Sequence, residues 1–468
     1  MVGKSNRRLA VLVVSLAVFM TNLDLWIVNV ALPAMGADFH ASLGDLSWVL
    51  NAYAITLAAL LVVAGRLGDR IGQRPVFLAG VVIFTVASIA CAAAPTLGWL
   101  VAARVLQAVG AAAQLPTSLG LLLAAVPENR RTAATRSWAA VGGLAAASGP
   151  VAGGLLVELD WRWVFLVNLP IGALALAAGL KALPRPAARE TGPLPDLLGA
   201  VLVTAAVASL TGALVEAPDR GWLSPGTLGL AALALVTGAW FGIRSVRHHT
   251  PLLELHLLRL PRFGSSGLGT MTFGVAFAVM LLSNVLWCQE VWQWSALRTG
   301  LALVPGPALV PIVTILTARA VHRFGHGRLV VLGALLFAAG MLWRAALISV
   351  EPDYVQDLLP SLLLTGTGVG LALGTLIAAG VQSLPAERAA TGSALVNALR
   401  QISASIGVAL LVTIVGSQVT PASVTDFRWA WALAAVLAVV TAAIGLNLGR
   451  PAPVGAPAFS AAQPPAAR

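Results

Sequence analysis

Fourteen separate apolar runs, each long enough to cross a bilayer, constrain this chain more than any other feature it has. One helical crossing takes about 20 mostly apolar residues. A helix satisfies its own backbone hydrogen bonds in lipid, which an open strand cannot do. Bounded by Pro, Gly and charge, the runs are Leu9–Ala34, Leu46–Gly65, Val76–Ala94, Leu97–Val126, Ser137–Val157, Trp163–Leu183, Asp196–Val215, Ser224–Ile243, Ser266–Cys288, Thr299–Ala318, Arg328–Ile348, Leu358–Gly380, Ala394–Val415 and Trp429–Leu448. The seventh and eighth give the weakest signals and leave a re-entrant pair open, but their interiors hold no charge, so they are kept as spans. Composition agrees. The 468 residues are 58% hydrophobic and 10% charged, against about 45–50% and about 25% for soluble domains. A soluble enzyme, a disordered chain and a coiled coil are excluded. Lys4, Arg7 and Arg8 precede the first run as in a secretory leader, yet that run is far longer than a leader's apolar region and a second span follows closely. It is read as an uncleaved helix.

The net charge is +11, carried by arginine apart from Lys4 and Lys181. Positive residues collect in cytoplasmic loops, and an even number of spans puts both ends on one side. With that side cytoplasmic, all but seven of the 29 Lys and Arg residues lie inside. Arg162, Arg220, Arg298 and Arg428 fall outside; Arg104, Arg344 and Arg400 fall within spans. The charge is therefore an orientation signal, N-in and C-in, and not a nucleic-acid footprint. Cys91 and Cys288 lie in apolar runs and give neither a disulfide framework nor metal spacing. His248 and His249 lack further ligands, so no metal site is expected. The Ala-, Gly- and Arg-heavy usage suggests a GC-rich bacterial genome, such as an actinobacterium.

An internal repeat organises the spans. Gly65-Arg66-Leu67-Gly68-Asp69-Arg70-Ile71-Gly72-Gln73-Arg74-Pro75 follows span 2, and Ala318-Arg319-Ala320-Val321-His322-Arg323-Phe324-Gly325-His326-Gly327-Arg328 follows span 10. Asp69 aligns with His322, Arg70 with Arg323 and Gly72 with Gly325. The shift of eight spans divides an all-α polytopic membrane protein into two six-helix bundles plus two extra central helices. The expected boundaries are residues 1–183, 184–265 and 266–449, with a Pro/Ala-rich cytoplasmic tail at 450–468. Parallel six-helix halves that rock about a central site are one plan for alternating access.

Further motifs sharpen the picture. Span 1 reads Leu23-Asp24-Leu25-Trp26-Ile27-Val28-Asn29-Val30-Ala31-Leu32-Pro33, and span 4 reads Arg104-Val105-Leu106-Gln107-Ala108-Val109-Gly110-Ala111-Ala112. Span 5 carries Ala145-Ala146-Ala147-Ser148-Gly149-Pro150-Val151-Ala152-Gly153-Gly154, and Trp161 through Gly172 leads into span 6. Leu384-Pro385, Gly392-Ser393-Ala394, Asn397, Arg400 and Gln401 add a late match. With the Gly65–Arg74 loop, these residues resemble the major facilitator superfamily, and within it the fourteen-span drug:proton antiporters. Departures are Trp26 for a usual Thr, and Ala108 and Ala145 where Gly is common. The resemblance implies a conformational latch at Gly65, Gly68, Asp69, Arg70, Gly72 and Arg74. It implies a bent gate at Gly149, Pro150, Gly153 and Gly154, where proline bends the helix and small residues allow close packing. It also ties Arg104 to proton coupling, against a structural ion pair as the competing reading.

Charge within a span is costly and marks function by default. Among the carboxylates Asp24 alone is deep, about 22 Å along its helix from the inner end. It is read as the proton-coupling or cation-binding group, against a structural acid paired with a polar neighbour. Arg344 and Arg400 lie near span ends and are read as snorkelling. Polar and aromatic candidates for a substrate cavity are Trp26, Asn29, Asn51, Tyr53, Gln107, Gln114, Asn284, Trp287, Gln289, Asn397 and Gln401; each competes with ordinary helix packing. Trp292 and Trp294 read as an interfacial belt. No GxxxxGK[ST] loop, HExxH motif or nucleophile–base pair occurs. The expectation is a non-enzymatic exporter of small amphipathic drugs or antibiotics, drawing on the proton-motive force with no cofactor. Its partners would be protons, a small-molecule drug or metabolite and membrane lipid, and it would act as a monomer in the cytoplasmic membrane. Export of an endogenous metabolite or peptide, symport, and a non-transport receptor or membrane enzyme are the alternatives.

Overall fold

The computed structural model describes residues 4–127, 130–183, 196–385 and 388–449. The tail 450–468 lies outside them, as does 184–195 at the start of the central segment. Fourteen helices long and apolar enough to cross a membrane make up the described chain. We number them α1 Lys4–Phe39, α2 Leu43–Ile71, α3 Gln73–Ala92, α4 Leu97–Ala125, α5 Arg131–Leu159, α6 Trp163–Leu166 with Asn168–Ala182, and α7 Leu197–Arg220. Then follow α8 Pro225–Arg247, α9 Pro261–Leu286, α10 Ala296–Leu303 with Pro305–Phe324, α11 His326–Leu347, α12 Leu359–Gln382, α13 Ala389–Val415 and α14 Val424–Gly445. The seventh and eighth runs are both full-length helices, not a re-entrant pair.

Local chemistry sets the ends. Ser42, Thr96, Asp196, Ser224 and Ser295 cap the starts of α2, α4, α7, α8 and α10 with side-chain oxygens. Proline explains two interruptions that apolar length does not reveal. Pro170 offers no amide to the Leu166 carbonyl, and α6 loosens at Val167; Pro305 interrupts α10 at Val304. A π-turn, Trp287–Val291, extends α9.

The repeat is visible in backbone geometry. Gly72 joins α2 to α3 at φ 102°, and Gly325 joins α10 to α11 at φ 81°, values that favour glycine. At the same spacing, Gly80 and Phe84 of α3 correspond to Gly333 and Phe337 of α11. A Cβ on Gly110 of α4 would sit 2.8 Å from the Gly80 carbonyl and 2.5 Å from the Phe84 nitrogen. One on Gly368 of α12 would sit 2.6 Å from the Gly333 carbonyl and 2.8 Å from the Phe337 nitrogen. Each bundle thus brings a helix pair into backbone contact with the same two residue types.

The two bundles meet along α2 and α13, where Ile55 and Ala59 pack with Leu395, Val396 and Leu399. The hairpin of α7 and α8 docks on that junction. Thr211 of α7 bonds Ser405 of α13 at 3.0 Å, and Thr413 donates to the Leu214 carbonyl at 2.7 Å. Asp196 fastens the hairpin's inner end: it accepts from the Gly199 amide, Arg244 and the Leu252 amide at 2.8, 2.9 and 3.3 Å. Burial pushes its carboxyl up, but those three donors outweigh it and hold it below the usual carboxylate range.

Candidate functional site

One polar cluster sits wholly inside the first bundle. Asp24 of α1 and Arg104 of α4 are 0% and 1% exposed, and Nη1 meets Oδ2 at 2.5 Å. Gln107, one turn along α4, accepts from Arg104 at 2.6 Å through Oε1. Its Nε2 donates to Asp24 Oδ1 and to Ser88 Oγ, both at 2.9 Å. Asn168 of α6 donates to the same Asp24 oxygen at 3.3 Å. Arg104 Nε reaches the Val49 carbonyl of α2 at 3.1 Å, and its guanidinium lies 4.2 Å from the Tyr53 ring centre. Five helices therefore converge on one ion pair. Burying a charge is tolerable when it is paired and hydrogen-bonded, and here nearly every polar atom is. Sequence reasoning passed over Asn168 and Ser88; the available signal was an amide just ahead of Pro170 in the span 6 junction.

The cavity lies elsewhere. A space of about 290 Å³ opens between the bundles, bounded by α1, α5, α9, α10, α12 and α13. Asn22, Trp26 and Asn29 present α1 to it, at the spacing of one helix face. Two residues of helix turn through about 200°, so Asp24 points away from the face that bears Trp26. Trp26 meets Phe277 edge to face at 6.1 Å across the seam. Of the proposed cavity residues, Trp26, Asn29 and Asn284 line this space.

The others pack elsewhere. Asn51 bonds Ser47 at 3.3 Å within α2, Tyr53 is covered by Arg104, and Gln107 belongs to the ion-pair cluster. Gln114 donates to the Gly80 carbonyl at 3.1 Å. Trp287 is buried against Phe427 and Trp431. Gln289 crosses to the Val30 carbonyl at 3.0 Å, Asn397 bonds back to Ser393 at 2.9 Å on its own helix, and Gln401 is buried without lining the cavity. Polarity near a span centre does not reveal which face a side chain occupies.

Three further readings are corrected. Arg344 does not snorkel: it is 1% exposed, donating to Ser361 Oγ at 2.7 Å and to Asn284 Oδ1. Arg400 does not reach for the membrane surface but lines the central cavity. Trp292 and Trp294 are not a lipid-facing belt; both are buried, their rings tilted by 46° with centroids 4.7 Å apart, and Trp292 is bonded to the Ser349 carbonyl.

The glycine motifs serve close packing. A Cβ on Gly149 would lie 2.3 Å from Trp26 Cβ, and one on Gly153 would lie 3.2 Å from Ile27 Cα. Gly154 faces the opposite bundle, where its Cβ would lie 2.6 Å from the Ala296 carbonyl. Gly300 abuts the Pro150 carbonyl in the same way. Helix α5 is thereby wedged between α1 and α10, at the end away from the chain termini. The Gly65–Arg74 segment, expected as a loop, is helical apart from the turn at Gly72: Gly65 faces Pro116, Gly68 faces Thr117, and Asp69 and Arg70 occupy the last turn of α2. Arg74 donates to the Leu180 carbonyl at 2.6 Å, within the first bundle and not across the seam. Arg66, given no role by the sequence, bonds the Thr250 and Pro251 carbonyls at 3.2 and 2.8 Å and ties the loop to the central linker.

A family model described as the Major Facilitator Superfamily matches residues 14–408. The chain belongs to the major facilitator superfamily. It is 34% identical to the tetracenomycin C resistance and export protein of Streptomyces glaucescens, over 90% of this chain and 77% of that one. It is 33% identical to a methylenomycin A resistance protein of Bacillus subtilis, over 92% and 94%. With the multidrug resistance protein Stp of Mycobacterium tuberculosis it shares 35%, over 87% and 76%. A solved structure concerning substrate recognition in proton dependent oligopeptide transporters has a TM-score of 0.65 and covers 94% of this chain and 98% of that one. At 16% identity that likeness concerns the fold. The chain is thus a multi-pass transporter, and not an enzyme, among relatives that confer antibiotic and multidrug resistance.

Proposed function

We propose that this protein exports small amphipathic drugs or antibiotics across a bacterial cytoplasmic membrane in exchange for protons, drawing on the proton-motive force. The observation that carries the reading is the back-to-back arrangement on α1: an aromatic-edged cavity on one face and a buried carboxylate–guanidinium pair on the other. Resistance and export among relatives over most of the chain supports the direction and the kind of cargo. Protonation of Asp24 removes the charge that compensates Arg104, and a buried guanidinium without its partner is strongly disfavoured. The α1–α4 contact then rearranges, and α1 moves its other face against cargo. Two bundles rocking about the cavity complete the cycle. Each proton entering gains about 2.3 kcal/mol per 100 mV. The cavity is built within one chain, which supports a monomeric working unit. The Gly65–Arg74 loop, held to Leu180 and to the central linker, acts as the latch, and the Gly149–Gly154 segment as the gate.

A resistance screen over a broad compound panel in an efflux-deficient host tests the reading. At least one amphipathic compound should lose toxicity, and Asp24→Asn should cut its pH-gradient-driven efflux at least tenfold. Protection against no compound overturns drug export; full proton-driven efflux by Asp24→Asn overturns the role of Asp24.

A further inference from the structure

We infer that the cargo is an organic anion: a flat, ring-bearing amphipath whose carboxylate, phenolate or sulfonate seats at the second bundle's wall of the cavity. The inference rests on the exporter reading and adds the charge of what is carried. Among the described residues that line the cavity, Arg400 bears the single formal charge and no carboxylate is present. Its Nε is shielded from solvent without a hydrogen-bond partner. Asp24 cannot neutralise it, being on the far face of α1 and already engaged with Arg104.

A second cation stands directly behind the same wall. Arg344 is 1% exposed, and among the described residues no carboxylate lies within ion-pair distance of it. Its Nη2 has no partner either. Buried charges are ordinarily paired, so two guanidiniums beside one space constitute a standing demand for a counterion. Arg344 donates to Asn284 Oδ1, which turns the Asn284 amide into the group that remains to donate toward the cavity. Arg344 is thus a positioning residue acting through Asn284, and Arg400 is the direct contact. The first bundle's wall is different in kind. Asn22 and Asn29 each donate to a carbonyl of their own helix, Val18 and Leu25, at 2.8 and 2.7 Å, and Trp26 with Phe277 offers ring edges. A ring system rests there, while its anionic end reaches Arg400 in a site where charge is poorly screened.

Fluorescein and rhodamine 123 share a ring system and differ in charge, and serve as probes in proteoliposomes holding the full chain under an imposed pH gradient. Wild type should move fluorescein at least tenfold faster than rhodamine 123. Arg400→Gln should lower that ratio at least tenfold, and Arg400→Lys, which keeps the charge, should retain most of it. Faster rhodamine transport by wild type, or an unchanged ratio in Arg400→Gln, overturns the cargo class and leaves export intact. If Arg400→Gln does not fold, the wild-type ratio and the Lys variant decide. Movement of neither dye counts against export and cargo class together.

Discussion

The two bundles are built on one plan but handle buried charge in opposite ways. In the first, Arg104 meets Asp24, and Gln107, Ser88 and Asn168 complete a net-neutral cluster. In the second, Arg344 has Asn284 and Ser361, both uncharged. The backbones around them are matched down to the Gly80–Gly110 and Gly333–Gly368 contacts. The difference teaches that the repeat preserves how helices approach, while the charges set in that frame are free to diverge. On the reading proposed above, the neutral cluster answers to protons and the uncompensated one to anionic cargo.

Removing the cation from each side gives the largest contrast. Arg104→Met strands Asp24 and should cost about 3–5 kcal/mol, because one member of a buried pair is left behind. Arg344→Met leaves only uncharged partners unsatisfied while removing a buried charge that has no counterion, and should cost under about 1 kcal/mol. Thermal unfolding of the detergent-solubilised variants measures the order, and equal losses break the contrast. A smaller effect comes from making the second cluster resemble the first. Asn284→Asp supplies Arg344 with a carboxylate, and the fluorescein-to-rhodamine ratio should fall several-fold while the melting temperature holds or rises. An unchanged ratio means that Arg344 does not act through position 284. The smallest difference is expected where the bundles agree. Gly110→Ala and Gly368→Ala each press a methyl into backbone at 2.5–2.8 Å, and each should cost about 1–3 kcal/mol. Their melting shifts should match; a large gap means that the helix contacts are not equivalent after all.

Much of this was legible from residues alone. Apolar length and punctuation located every span, since lipid leaves a backbone few options. The interruptions in α6 and α10 were not read from the sequence: Pro170 and Pro305 are in plain view, but their effect depends on which carbonyl they leave unpaired. The pairing of Arg104 was foreseeable because a deep guanidinium must find a partner. The faces were harder. Nothing in the order of Asn51, Gln114 or Asn397 tells whether a side chain meets the cavity or a neighbouring helix, since that depends on how each helix is rotated in the assembled bundle. Arg344 and Arg400 were misread for a related reason: nearness to a span end permits snorkelling only if the residue faces lipid, and both face protein.

Helix α1 carries Trp26 and Asp24 two positions apart and half a revolution away from each other. On the proposed export reading, a change of compound therefore needs no change in the acid, and the reverse. Mutations along the Asn22–Trp26–Asn29 stripe can remodel what is accepted while leaving the ion pair untouched. If the proposed coupling through Asp24 holds, a lineage confronting new toxins can vary that stripe without dismantling its engine.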